Sequence, residues 1–213
     1  MKSINHQQIL DFEQRYRATF INSLGGFKSL VLIGTRSKNG NTNLAVFNSY
    51  FHLGANPPLF GIIFRPDSVE RHTLSNILET GEFTVNHVKE DFYKHAHQTS
   101  ARYPSTTSEF NASGLNEEFH SGIYTPFVRE SSIKIHALFK QKLEIEANGT
   151  IMIIAKINHV FLPDNCLLND GFVDLEKAGT ITCSGLDSYH STKKIGRLSY
   201  AKPEKQPELI THS

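Results

Sequence analysis

The chain has 213 residues, 38% of them hydrophobic and 20% charged, and a formal net charge of +1. That length can bury the core of one domain, and the near-zero charge excludes the broad basic field that draws proteins to nucleic acid or anionic lipid. No run reaches the roughly 18 apolar residues of a membrane span and residues 1–17 lack a signal-peptide core, so a soluble, cytoplasmic protein is expected, with no membrane partner.

The two cysteines, Cys166 and Cys183, make no disulfide framework. The sequons at Asn111 and Asn148 are then chance matches, because glycosylation needs secretion.

In chain order, Ile9, Phe12 and Tyr16 recur at helical spacing, which predicts one amphipathic helix over residues 4–18 that Gly25-Gly26 stops. The apolar run 29–35 reads as a strand, Asn39-Gly40 as a turn, and residues 43–51 as the neighbouring strand. Pro57-Pro58 fixes two backbone angles and removes two donors, so the chain turns before the buried strand 59–64. After a break at 65–67, Leu74, Ile77 and Leu78 give residues 68–79 an apolar helical face, with Thr73 as a possible cap and Gly81 as the stop. Residues 83–88 form a third strand and residues 92–101 a possible helix. The polar connection 103–108 reads as a surface loop able to act as a lid. Leu143, Ile145 and Ala147 alternate with charged residues before Asn148-Gly149, and residues 151–162 return, which is a hairpin. Five or six strands and few long helices predict a mainly β protein, a β-barrel with peripheral helices. Residues 1–24 are expected as a helical extension, 25–200 as the domain and 201–213 as a loose tail.

Two constellations carry chemistry. Arg65, Arg71, His72 and Thr73, with Ser49 from the preceding strand, offer guanidinium forks, a hydroxyl and a helix start, the groups that bind a terminal phosphate. The alternative is a solvated helix face. In the run Phe47-Asn48-Ser49-Tyr50, backbone N–H groups can meet the polar edge of a flat ring while aromatics cover its face, although strand aromatics also simply fill cores. His87, His95 and His97 lack the spacing of a metal site, and no Walker loop, GxGxxG or GxSxG is present.

Taken in order, Gly34-Thr35, Gly40-x-x-Asn43-x-Ala45-x-x-x-Ser49-x-Phe51, Asn56-Pro57-Pro58-Leu59 and Arg71-x-Thr73-x-x-Asn76-Ile77-x-x-Thr80-Gly81-x-Phe83-x-Val85-Asn86 resemble the flavin reductase-like family of FMN-binding split barrels. Ser184-Gly185-Leu186-Asp187-x-Tyr189 and Ile195-Gly196-Arg197-Leu198-x-Tyr200 are similar to its closing segment. The resemblance implies a homodimer with FMN, or FAD, at the subunit interface. Phe47, Asn48, Ser49 and Tyr50 would line the ring and ribityl chain, and Arg65, Arg71, His72 and Thr73 the phosphate. Asn86, Gln98 and Ser100 would form the wall or a contribution from the second subunit, and Arg197 would be structural or reach the cofactor from the partner.

The implied activity is NAD(P)H-dependent flavin reduction, with electrons passed to free flavin, iron or a partner monooxygenase. His52, His87 or His95 could meet the nicotinamide. The continuation from Gly171 to Tyr200 is longer than in dedicated monooxygenase partners and could cap the flavin or fill the nicotinamide space. The competing expectations are a flavin-binding carrier or sensor with little turnover, and a cofactor-free interaction module.

Overall fold

The computed structural model describes residues 1–66, 71–104 and 106–210. The N-terminus forms two helices where the spacing predicted one: α1 (His6–Asp11) and α2 (Gln14–Leu24). Asn5 and Gln8 close a reciprocal capping box on α1. The Glu13 carboxylate then accepts from the backbone N–H groups of Arg15 and Tyr16, which starts a second helix and interrupts the first.

The chain continues as β1 (Lys28–Ser29), β2 (Val31–Arg36), β3 (Thr42–Phe47), β4 (Tyr50–Ala55) and β5 (Pro58–Phe64), followed by α3 (His72–Thr80) and β6 (Glu82–His87). An excursion carries α4 (Tyr93–Gln98), α5 (Glu109–Ser113), β7 (Glu117–Glu118) and β8 (Phe127–Val128). The long hairpin β9 (Lys134–Ile145) and β10 (Thr150–Phe161) follows, and β11 (Thr182–Ser184) and β12 (Ser188–His190) come last.

Among the described residues seven strands form the main sheet, in the order β3-β2-β6-β9-β10-β5-β4. The run predicted as one strand over 43–51 breaks at Asn48-Ser49, and its halves lie on opposite edges of that sheet. The three Cα–Cα steps from Phe47 to Tyr50 reach only about 10 Å, so the sheet has to curl until its edges meet at this connection. Period-2 patterning cannot show such a break, because alternation continues through it.

The two faces of the sheet are built differently. Val31, Ile33, Phe60, Ile62, Phe83, Val85, Ile135, Ala137, Ile151 and Ile153 form one continuous apolar cluster. The other face of the central strands carries Leu32, Thr84, Asn86, Lys134 and His136, all buried. It is covered by the excursion, whose Phe92, Ala96, Phe110, Leu115 and Val128 pack with Leu30, Leu32 and Leu44. Thr84 Oγ1 donates to the Pro126 carbonyl at 2.6 Å, and the Val128 N–H donates to Asn86 Oδ1 at 3.0 Å. A Cβ at position 34 would collide with Pro126 and Thr84, so Gly34 lets this covering segment approach.

Cys166 and Cys183 are buried free thiols. Near the C-terminus Ser199 and Arg197 pair through backbone hydrogen bonds with Glu208 and Ile210.

Candidate functional site: an anion corner beside an aromatic connection

The aromatic connection and the basic turn meet at one corner. The rings of Phe47, at the end of β3, and Phe64, at the end of β5, pack edge to face with centroids 4.8 Å apart. Ser49 Oγ donates to the Ile63 carbonyl at 2.7 Å, while the Ile63 N–H donates to the Ser49 carbonyl at 3.3 Å. The aromatic stretch is thereby fixed against the last residues before Arg65. Tyr50 rests on Phe60, and burial pushes its phenol up to about 12, so it stays neutral. Asn48 turns away from this group: its Nδ2 donates at 3.0 Å to the Gly185 carbonyl, which also accepts from Lys28 Nζ at 2.9 Å. The late Ser184–Asp187 stretch thus lies against the connection, as the chain's long continuation past Gly171 allows.

On the basic side Arg65 is exposed, and residues 67–70 lie outside the described residues. Helix α3 starts at His72, with Arg71 at the N-cap position and no capping side chain among the described residues. Thr73 is not the cap that its spacing suggested. It lies inside the first turn, buried, and its Oγ1 accepts from Asn43 Nδ2 at 2.9 Å. That bond uses an acceptor site and leaves the Thr73 hydroxyl proton to be donated elsewhere.

Arg71 Nη2 reaches the Pro66 carbonyl at 3.4 Å, and its Nε is buried without a hydrogen-bond partner among the described residues. Thr125 Oγ1 is placed in the same way, but it is a neutral hydroxyl. A cationic N–H costs more to strand than a hydroxyl, so Arg71 is the stronger indication of an absent acceptor.

A supporting layer escaped the sequence reading. Glu109, at the start of α5, is buried, and its Oε2 accepts from the Leu44 N–H at 3.1 Å. Desolvation raises its carboxyl, against the Leu44 hydrogen bond and the His72 charge, which lower it. Glu109 and Asn43 therefore back His72 and Thr73. Asn43 stands in the family-like pattern and could have been singled out there; Glu109 follows a weakly patterned loop and gave no signal.

The remaining candidates lie elsewhere. Asn86 is fully buried on the covered face, with Nδ2 donating to the Leu32 carbonyl and to Thr84 Oγ1. Gln98 and Ser100 lie exposed at the end of α4, where Gln98 Nε2 donates to the Tyr103 hydroxyl at 2.7 Å. His52 and His95 are exposed. His87 lines a cavity of about 280 Å³ with Lys28, Val31, Leu175 and Thr180. Its Nδ1 lies 3.2 Å from Thr180 Oγ1, and burial pushes the imidazole down to about 4, so it is neutral. Arg197 pairs with Asp170 at 2.7 Å and stacks over Phe172.

Residues 24–175 match the model of the flavin reductase like domain, and the chain belongs to that family. Its fold superposes with a TM-score of 0.91 on a split-barrel protein from Shewanella frigidimarina assigned as a flavin reductase, at 47% identity over 94% of this chain and 100% of that one. Nitrilotriacetate monooxygenase component B from Bacillus cereus shares the fold at 20% identity, with a TM-score of 0.80 over 93% of this chain and 98% of that one. An uncharacterized protein of Halalkalibacterium halodurans is 30% identical over 155 residues, 70% of this chain and 74% of that protein. The expected class is therefore shown: a mainly β, flavin reductase-like split barrel.

Proposed function

We propose that this chain is an FMN-binding, NAD(P)H-dependent oxidoreductase that works as a homodimer. The observation that carries the reading is the Arg71 Nε, buried without a hydrogen-bond partner among the described residues at the start of α3, next to a strand connection faced with aromatic rings. An anion with several acceptor oxygens satisfies such a donor, and the flavin phosphate is the anion that the family membership supports. When bound, the flavin would accept hydride from reduced nicotinamide and pass electrons on, to free flavin, iron or a partner monooxygenase; FAD is the alternative form.

The chain's own residues would bind and orient. Arg65, Arg71 and His72 supply positive or N–H donor groups and Thr73 a hydroxyl held by Asn43. Phe47, Ser49 and Tyr50 supply a rigid apolar surface, and Asn48 ties it to the late segment. Asn86, by contrast, acts through the sheet, since its amide nitrogen and oxygen are already engaged. Gln98 and Ser100 are assigned to contact with the second subunit.

Arg71→Ala is expected to weaken FMN binding by about 1–3 kcal/mol, the scale of a lost charge-assisted hydrogen bond. Flavin fluorescence quenching reads this directly, and unchanged affinity would remove Arg71 from the corner.

The contact of Asn48 with Gly185 favours a second reading, in which residues 171–200 close the ring side and the protein carries flavin with little turnover. Steady-state NADH or NADPH oxidation with added FMN separates the two. Tight flavin binding with no nicotinamide consumption would establish the carrier.

A further inference from the structure

At the far end of the β9–β10 hairpin lies a second cavity, of about 390 Å³, which the flavin reading does not use. Its position follows from a single extra residue. Ile157 pairs with Ala137 and His159 with His136, so Asn158 is a bulge in β10. Uninterrupted alternation would put His159 and Phe161 on the face of Ile157, which packs against the apolar cluster. The bulge instead swings both onto the face of their cross-strand partners His136 and Lys134.

The result is a ladder of flat rings. His136 and His159 have centroids 6.4 Å apart at 28°, His159 and Phe161 6.1 Å at 15°, and Phe161 and His120 4.3 Å at 20°.

The bulged Asn158 also sets the proton positions. Its Nδ2 lies 3.1 Å from His136 Nδ1 and 3.2 Å from His159 Nδ1, so both ring nitrogens accept and both rings carry their proton on Nε2. His136 Nε2 donates to Glu82 at 2.6 Å, which leaves His159 Nε2–H as a donor at the cavity. His120 Nε2 donates to Glu118 Oε1 at 2.6 Å, and Glu118 Oε2 is taken by Lys134 at 2.5 Å. The carboxylate groups of the cluster are thus engaged by donors of their own, while the rim adds the Ser121 hydroxyl and the apolar Ile123.

We propose that this cavity is a binding site for a small aromatic carboxylate, its ring against the Phe161–His159 ladder and Ile123, its carboxylate on His159 Nε2–H and Ser121. Parallel aromatic faces favour a planar guest, and donors from His159 and Ser121 favour a carboxylate on it. The site is distinct from the phosphate corner: Ile151, beside Phe64, and Phe161 lie ten residues apart along β10, roughly 33 Å at the usual rise of a strand.

The inference stands whether or not the corner binds flavin, and benzoate is the probe that tests it. Calorimetric titration into the full chain should give saturable binding at one site per chain, equal with and without FMN. His159→Leu and Ser121→Ala, at exposed positions, should each weaken binding about ten-fold, and cyclohexanecarboxylate should bind less tightly than benzoate. Arg71→Ala should leave the isotherm unchanged. Thermal melting checks that each variant is folded, and a fixed benzoate concentration should raise the melting temperature of the unsubstituted chain by more than that of His159→Leu. Absence of saturation by about 10 mM benzoate, indifference to His159→Leu, or displacement by FMN would each overturn the site.

Discussion

On one face of the main sheet Ile33, Phe83 and Val85 belong to a continuous apolar cluster, whereas on the other Thr84, Asn86 and His136 are also deeply buried but are held by hydrogen bonds. The difference separates two kinds of failure. A shortened side chain on the first face leaves a void, which neighbours fill in part. On the second it leaves donors and acceptors that nothing else can satisfy. The anion corner stands outside both patterns, because there the Arg71 Nε of a half-buried guanidinium is buried without a hydrogen-bond partner among the described residues. Protein interiors tolerate that arrangement when a ligand completes it.

Phe83→Ala on the apolar face should cost the most, about 3–5 kcal/mol in denaturant unfolding, since Phe83 is fully buried and touches Phe60. Asn86→Leu on the covered face should cost about 2–4 kcal/mol even though it adds apolar surface, because the Val128 N–H loses its acceptor. If it proves neutral, the distinction between the faces fails.

Acid sharpens the comparison at the end of β6. Burial holds His87 at about 4, below its ordinary 6.5, so the neutral form is the folded one. Its contribution is complete above 6.5 and is lost as pH falls towards 4, since the unfolded chain takes up a proton that the folded chain refuses. A loss of about 2 kcal/mol is expected across that window, less than the full shift implies because His87 borders a cavity. His87→Gln should flatten this part of the stability–pH curve.

The smallest effect is expected at Thr73→Val, about 1 kcal/mol of stability from the stranded Asn43 amide and a smaller loss of FMN affinity than Arg71→Ala. A larger affinity loss than that of Arg71→Ala would invert the order of the corner's donors.

Much of this was legible in the sequence. The hairpin around Asn148-Gly149, read from Leu143 although its first strand begins at Lys134, the Gly81 stop and the pairing of the 29–35 and 43–47 runs follow from alternation and turn chemistry, and Gly81 has the left-handed φ of 77° that its place after α3 requires. The split of 43–51 between two sheet edges was not legible, because it is a property of closure at long range. Nor was the commitment of Asn86 and Asn48 to internal carbonyls, since a polar side chain in a strand carries no mark of the face on which it will be buried. The same holds for Glu109, whose partner Leu44 lies 65 positions away.

The central claim is that the corner formed by Arg65, Arg71, His72 and Thr73 holds a phosphate, and comparing FMN with riboflavin tests it without reference to turnover. The account predicts that FMN binds at least about ten-fold more tightly than riboflavin, the phosphate being the only difference between them, and that Arg71→Ala removes most of that margin. Equal affinity for the two flavins, or a margin that survives Arg71→Ala, would contradict it.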